Sequence, residues 1–227
     1  PLKKTVEDKL DSVLAFYQQQ MDERHWYGFW TFGDYIHSYN NAQHVWYYDW
    51  GGHAWQNTEL GVPLWVWTSF LRTGRGDVFR MAEAQTSNTS ETNVYHIGPM
   101  QGLGSRHNVV KWGDGAKEAR VSQAAHWRPY YYLTTDERTG DIMRAQLTAD
   151  LAAVKHDPMR LAQPVLPQDP KFPGRIRIGP DWFALAGNWM TEWERTGDKQ
   201  WLDRINAGVD AILAMPHWIR SRVRHGL

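Results

Sequence analysis

The chain has 227 residues, enough for one sizeable domain with a real core, and it balances 25 acidic against 25 basic side chains. Zero formal charge leaves no electrostatic footprint for nucleic acid or an anionic membrane as partner; with no run of about 20 apolar residues and no signal-peptide pattern, it reads as a soluble chain. Cysteine is absent, which excludes disulfides, thiolate metal sites and a cysteine nucleophile, whereas 14 Trp, 10 Tyr and 7 Phe fit either stacking on flat sugar faces or a large helical core.

The first residues, Pro1-Leu2-Lys3-Lys4, lack an initiating Met, so a processed or excised piece is expected. Thr5 to about Gln20 is predicted as a helix with Thr5 as N-cap and a stripe of Val6, Leu10, Val13, Leu14 and Tyr17. Arg24 to Ala54 alternates aromatics with Gly and Asn and predicts short strands and turns. A second helix is predicted from about Trp55 to Leu71, kinked at Pro63, with Leu64, Trp67, Phe70 and Leu71 on one side. A third runs from Asp77 to Ser90, a fourth from Ala116 to Leu133 and a fifth from Asp141 to His156. Six prolines exclude regular structure between 157 and 180. Asp181 then caps a sixth helix to Arg195, a seventh reaches about Met215, and Pro216 opens an eighth.

Three short turns look related, with Thr at 73, 135 and 196 and separations of 62 and 61 residues. That spacing predicts repeated helical hairpins, each ending in a long loop. Antiparallel helices then put every short turn at one end and segments 24–54, 91–115 and 157–180 at the other. Helices starting near Trp55, Ala116 and Asp181 would aim positive N-termini at that face, which favours an anionic ligand. The fold class expected is all-α: an incomplete (α/α) toroid, half to two-thirds of a ring, forming one domain over 1–227 with long aromatic loops on one face.

The stretch 91–115, ETNVYHIGPMQGLGSRHNVVKWGDG, concentrates polar chemistry in a long loop. Loops of more than about 12–15 residues inside a compact domain are usually functional or disordered. Val94, Tyr95, Ile97, Met100, Leu103, Val109, Val110 and Trp112 give this one something to bury. Tyr95, His96, Arg106, His107 and Asn108 supply the types that β-elimination beside a uronate needs: a base, an acid, and a group that neutralises the enolate-like charge. The plainer reading is that Arg106 and His107 cap helix ends and Tyr95 is core. A glycoside hydrolase would instead need paired carboxylates, such as Asp49 with Glu59 or Asp114 with Glu118, although carboxylates at helix starts also serve as caps.

His53, Trp55, Gln56, Asn57 and Glu59 form a second constellation, with Trp55 as a stacking platform and Gln56, Asn57 and Glu59 in a first helical turn. His53 could ligate a metal with His96 or His107, but no HExxH or spaced acidic loop supports it. No cofactor is therefore expected, a divalent cation being compatible but unsupported by a motif. Gly102-Leu103-Gly104 lacks the preceding strand of a nucleotide fingerprint.

The runs RHWYGFW, GDYIHSY, YYDWGGHAWQNTELG, FLRTGRGDVFRMAEA, VYHIGPMQGLGSRHNVVKWGDGAKEAR and YYYLTTDERTGD lie between Arg24 and Met143. They resemble the C-terminal α/α-toroid domain of the rhamnogalacturonan exolyase and YetA-like proteins, polysaccharide lyase family 26. The resemblance implies an exo-acting lyase that cleaves the rhamnose–galacturonate backbone of pectin and leaves an unsaturated galacturonyl product. It also implies β-rich N-terminal domains, which are not in this sequence, and an acidic oligo- or polysaccharide as partner. On that reading His107 or Tyr95 is base or acid, Arg106 and Asn57 neutralise the carboxylate, and His53 joins the catalytic group. Trp50, Trp55 and Trp112 supply stacking surface, with Gln56, Glu59, His96 and Asn108 as further substrate contacts. An α/α-toroid glycosidase using Asp49, Glu59 or Asp114, and a non-catalytic carbohydrate-binding fragment, are the alternatives.

Overall fold

A computed structural model describes residues 2–25, 36–37, 39–46, 54–56, 58, 61–105, 117–156 and 176–215. Helices dominate these. Helix α1 spans Leu2–Arg24. Three helical hairpins follow: α2 (Val62–Thr73) with α3 (Gly76–Glu91), α4 (Arg128–Thr134) with α5 (Glu137–Ala145), and α7 (Phe183–Thr196) with α8 (Lys199–Leu213), while α6 (Ala149–His156) extends α5. Six strands of two or three residues form antiparallel ribbons: β1 (Ile36–His37) with β4 (Ala54–Gln56), β2 (Tyr39–Asn40) with β3 (Val45–Trp46), and β5 (Gly104–Ser105) with β6 (Lys117–Glu118). These ribbons clip loops together and build no sheet, so the all-α toroid expected from the pattern of turns is the architecture found.

The three hairpin turns share one set of hydrogen bonds. Gly74, Thr135 and Gly197 are left-handed at φ 66°, 57° and 71°, and each donates its N–H at 2.7 Å to the carbonyl four residues back, on Phe70, Tyr131 and Trp193. Each turn is preceded by a threonine whose hydroxyl donates to its own i−4 carbonyl: Thr73 to Ser69 at 2.8 Å, Thr134 to Tyr130 at 2.7 Å, and Thr196 to Glu192 at 2.8 Å. The same hydroxyls accept from the N–H of Arg75, Asp136 and Asp198, the residues that open the next helices. The equivalent threonines are thus 73, 134 and 196. The sequence reading paired Thr135 instead, one residue late, because Thr134 and Thr135 are adjacent.

The hairpins are cemented by apolar clusters. Leu14 and Tyr17 of α1 pack with Val62, Val66, Trp67, Val78, Met81 and Ala82, while Arg72 reaches Glu7 at 2.6 Å and Asp11 at 2.7 Å. The Trp67 indole donates to Thr86 at 2.9 Å, and Trp127, buried with Val94, Ala124, Ile142 and Met143, donates to Thr89 at 3.1 Å. A third cluster joins Leu103, Leu147, Ala149, Ala152, Trp182, Leu185 and Trp189. These four tryptophans, Trp67, Trp127, Trp182 and Trp189, are all buried in the clusters, so part of the tryptophan excess goes into core.

Several boundaries differ from the sequence reading for physical reasons. Helix α2 begins at Val62, with Pro63 in its first turn, where a missing N–H costs nothing and no kink follows. Trp55 and Gln56 lie in β4, not in a helix. The described part of the helix expected from Ala116 is not helical at its start: Lys117 and Glu118 pair with Ser105 and Gly104, the Ser122 hydroxyl donates to Gly102 O at 2.7 Å, and Ala124 N donates to the Asn188 side chain at 2.7 Å. These bonds replace the helical ladder until the 3₁₀ turn Ala124–His126. The predicted fifth helix starts early, at Glu137, and is broken at Gln146–Thr148. There Asn188 and the Trp189 indole donate to the carbonyls of Gln146 and Leu147, at 3.5 and 3.1 Å. Val6, Leu64 and Leu71, placed on buried stripes, are 48%, 44% and 66% exposed. The eighth predicted helix, from Pro216, lies outside the described residues.

Candidate functional site

The connection from α3 to α4 starts as a built scaffold. Val94 bridges Gly104, Tyr95 N donates to Leu103 O at 3.0 Å, and Gly102 N donates back to Tyr95 O at 2.9 Å, closing a hairpin over 94–104. Val94 and Leu103 are buried in two different clusters, whereas Ile97, expected to be buried, is 83% exposed on the turn. Gly102 sits at φ +87° with a would-be Cβ 2.9 Å from Ala149 Cβ, and at Gly104 a Cβ would meet Val121 Cβ at 2.6 Å. No other residue fits either place without moving the hairpin.

The hairpin leads into β5, and β5 pairs with β6 through Gly104↔Glu118 and Ser105↔Lys117. The chain therefore leaves at Ser105 and returns at Lys117 across one ribbon. Glu118 is 4% exposed, hydrogen-bonds the Arg120 guanidinium, and lies 3.1 Å from Arg177 Nη2. Arg177 also donates from its backbone N, Nε and Nη2 to the Asp181 carboxylate, each at 2.8 Å, and Asp181 is 1% exposed. The bonds to Asp181 are the largest influence on Arg177; with the charge of Glu118 they raise its pKa above the usual guanidinium value, while burial opposes them.

Two consequences follow. The described parts of the second and third long connections meet, as the alternation of short and long loops predicts. And the positive start of the α7 helical run, a π turn over Ile178–Trp182, already holds an internal anion, Asp181, so it is not a vacant anion site. Glu118 is likewise committed to two guanidinium groups, which ties its carboxylate into the scaffold and weakens the Asp114–Glu118 pair as a hydrolase dyad. Sequence reasoning saw Glu118 and Asp181 but missed Arg177 and Arg120. The available signals were the i, i+4 spacing of Arg177 and Asp181 before a helix and the alternation Glu118-x-Arg120 ahead of it.

Of the predicted site residues, Tyr95 is half-buried in the hairpin, held by the two backbone bonds above. His96 Nε2 lies 3.0 Å from the carbonyl of Glu91, so this histidine caps the end of α3. Glu91 itself takes two 2.8 Å bonds from Arg138, which hold its carboxyl below the ordinary range against the effect of burial. Trp55 and Gln56 are in β4, with Gln56 paired to Ile36 across the ribbon. His53, Asn57, Trp50, Glu59, Arg106, His107, Asn108 and Trp112 lie outside the described residues, as do Asp49 and Asp114. Among the described residues no group of three or more His, Asp and Glu side chains is placed to hold a metal ion, and no helix is long and apolar enough to cross a membrane.

A polar belt backs this site. Gln85, Thr86, Asn88, Thr89, Ser90 and Asn93 are all buried along the end of α3. His126, 2% exposed, has its pKa pushed down to about 4 by burial, against a backbone hydrogen bond at Val121.

The family model described as the PcRGLX-like protein C-terminal alpha/alpha toroid domain matches residues 1–224. The chain is also 50% identical over 216 residues to the uncharacterized protein YetA of Bacillus subtilis (strain 168), a match that covers 95% of this chain and 25% of that protein. The chain thus spans about a quarter of the length of the curated relative it matches.

Proposed function

The chain belongs to the PcRGLX-like protein C-terminal α/α toroid domain family, and on that premise we propose that it is the toroid of an exo-acting polysaccharide lyase on rhamnogalacturonan. The full-length protein, with β-rich domains ahead of the toroid, is then the catalyst. In β-elimination a base removes the proton beside the uronate carboxylate, the bond to the leaving oxygen breaks, and an acid protonates that oxygen. The product end carries a conjugated double bond.

The chemistry asks for an acid–base pair beside a cation, and segment 94–117 holds the types in order. Tyr95 and His107 are assigned to base and acid, Arg106 and Asn57 to the uronate carboxylate, and His53 to the same catalytic group. Trp50, Trp55 and Trp112 give the sugar rings stacking surface, and Gln56, Glu59, His96 and Asn108 give hydrogen bonds. The observation that carries the placement is the ribbon Ser105↔Lys117. It anchors both ends of the segment bearing Arg106, His107 and Asn108, next to the Glu118–Arg177 contact where two long connections converge. Such fixed anchoring is what a catalytic loop needs to hold its groups in register.

The test is to incubate the full-length protein with rhamnogalacturonan and follow ultraviolet absorbance. Absorbance from the new double bond, lost in His107→Ala and Tyr95→Phe, is the expected result. Reducing ends without that absorbance would replace the lyase by a glycosidase using Asp49, Glu59 or Asp114. Oligosaccharide binding without turnover at any pH would leave a carbohydrate-binding module.

A further inference from the structure

A cleft of about 160 Å³ opens between the turn of the 94–104 hairpin and α6. Pro99, Leu151 and Ala152 give it apolar surface, and Gln101, Thr148 and Lys155 give it hydrogen-bonding groups and one positive charge. Positions 148, 151, 152 and 155 recur at helical spacing, so one face of the 3₁₀–α6 run lines the cleft. Across it the hairpin turn is fixed by Gln101 N donating to Gly98 O at 3.1 Å, with Gly98 at φ +87°. Among the described residues no carboxylate is in ion-pair range of Lys155. The carbonyls at the end of α6 draw a cation there, but that partial charge does not neutralise an ammonium. Leu151 in the cleft is 58% exposed, which leaves bare aliphatic surface in the same lining as the cation.

An apolar wall beside a cation and neutral donors is what one carboxylate-bearing sugar requires. The ring's C–H face covers Leu151 and Pro99, the carboxylate meets Lys155, and hydroxyls meet Gln101 and Thr148. The volume is below the roughly 300–1,000 Å³ of a drug-sized site, so it takes a single residue and not a chain. We propose that this cleft is a subsite for one uronate residue, built from residues other than those assigned to acid–base work. This rests on the acidic-polysaccharide reading and adds a second point of grip for the polymer.

Calorimetric titration of the full-length protein with rhamnogalacturonan oligosaccharides, and with the same oligosaccharides after carboxyl reduction, tests it. Lys155→Gln should weaken binding of the acidic ligand about five- to ten-fold and leave the reduced ligand unchanged. Leu151→Asp, at an exposed position, should weaken the acidic ligand at least as much by placing a like charge in the cleft. Turnover of the shortest cleaved oligosaccharide at saturation should be unchanged in both variants. Unaltered affinity in both variants, with double-bond formation intact, overturns the subsite and leaves the lyase reading standing. A wild-type protein that binds no uronate oligosaccharide overturns both.

Discussion

Arg177 Nη2 lies 3.1 Å from Glu118 Oε1, and through this contact two connections that are remote in sequence hold each other in place. The Glu118 side chain is 6% exposed and that of Arg177 29%, so water replaces little of the interaction if one partner goes. Glu118→Gln keeps the volume but removes a carboxylate partner from Arg120 and from Arg177, which keeps Asp181. It should cost about 1.5–3 kcal/mol in denaturant unfolding, under the usual loss for a broken buried pair because Arg177 keeps Asp181. Elimination activity should fall with it, since Glu118 ends the ribbon that anchors the proposed catalytic segment. An unchanged midpoint would mean that the ribbon is held by its backbone bonds alone.

Thr135 stands where the other two hairpin turns have Gly74 and Gly197, yet it adopts the same left-handed backbone at φ 57°. A β-branched residue there loses roughly 1–2 kcal/mol to sterics, and glycine returns about 0.5–1 of that as unfolded-state entropy. Thr135→Gly should therefore stabilise the protein by about 0.5–1 kcal/mol. Gly197→Ala should cost about 1 kcal/mol. Thermal midpoints of the two variants moving in the same direction would refute the equivalence of the turns.

The repeat was legible because its signal is local: a threonine, a left-handed residue and an N-cap need no partner from elsewhere. Hairpins and long loops follow from that alone. The stretch after Ala116 was misread as helix because its competitors are distant, Gly104 across the ribbon and Asn188 on α7. The break at Gln146 has the same origin in Asn188 and Trp189. Within the site, Tyr95 and His96 were picked for their chemistry, and periodicity could not show that His96 faces the end of α3. The Arg177–Glu118 contact had no local signal, because only folding brings the two together, although the Arg177–Asp181 spacing did.

Gly208 of α8 takes the edge of the Trp182 ring: a Cβ there would lie 1.9 Å from the ring carbon Cη2. Trp182 is 8% exposed and meets Trp189 edge-on, with centroids 5.7 Å apart, so it has nowhere to retreat. Gly208→Ala should cost about 2–3 kcal/mol through overpacking, despite alanine's better helix propensity. Gly187, on α7 with nothing within 4 Å of its would-be Cβ, is the matched control. Gly187→Ala should stabilise by up to about 1 kcal/mol. A midpoint for Gly208→Ala at or above wild type would show that Trp182 repacks freely.

His126 makes stability fall on the acid side before the carboxylates do. In the folded protein its pKa is about 4, pushed down from 6.5 by burial, whereas the unfolded chain protonates near 6.5. Above 6.5 neither state holds the proton and stability is independent of this group. Between 6.5 and about 4 only the unfolded state takes it up, so stability drops by up to about 1.4 kcal/mol per pH unit. Below that both states are protonated and the slope from His126 ends. Carboxylates held down by partners, such as Glu91 by Arg138, lose their contribution as pH falls from the ordinary carboxylate value towards the folded one, so the interval from pH 6.5 to 5 separates the histidine from them. Denaturant midpoints should decline across that interval in the wild type and stay nearly flat in His126→Gln, which keeps a hydrogen-bonding side chain without a titrating ring. Parallel slopes in the two proteins would place the buried proton-binding site elsewhere.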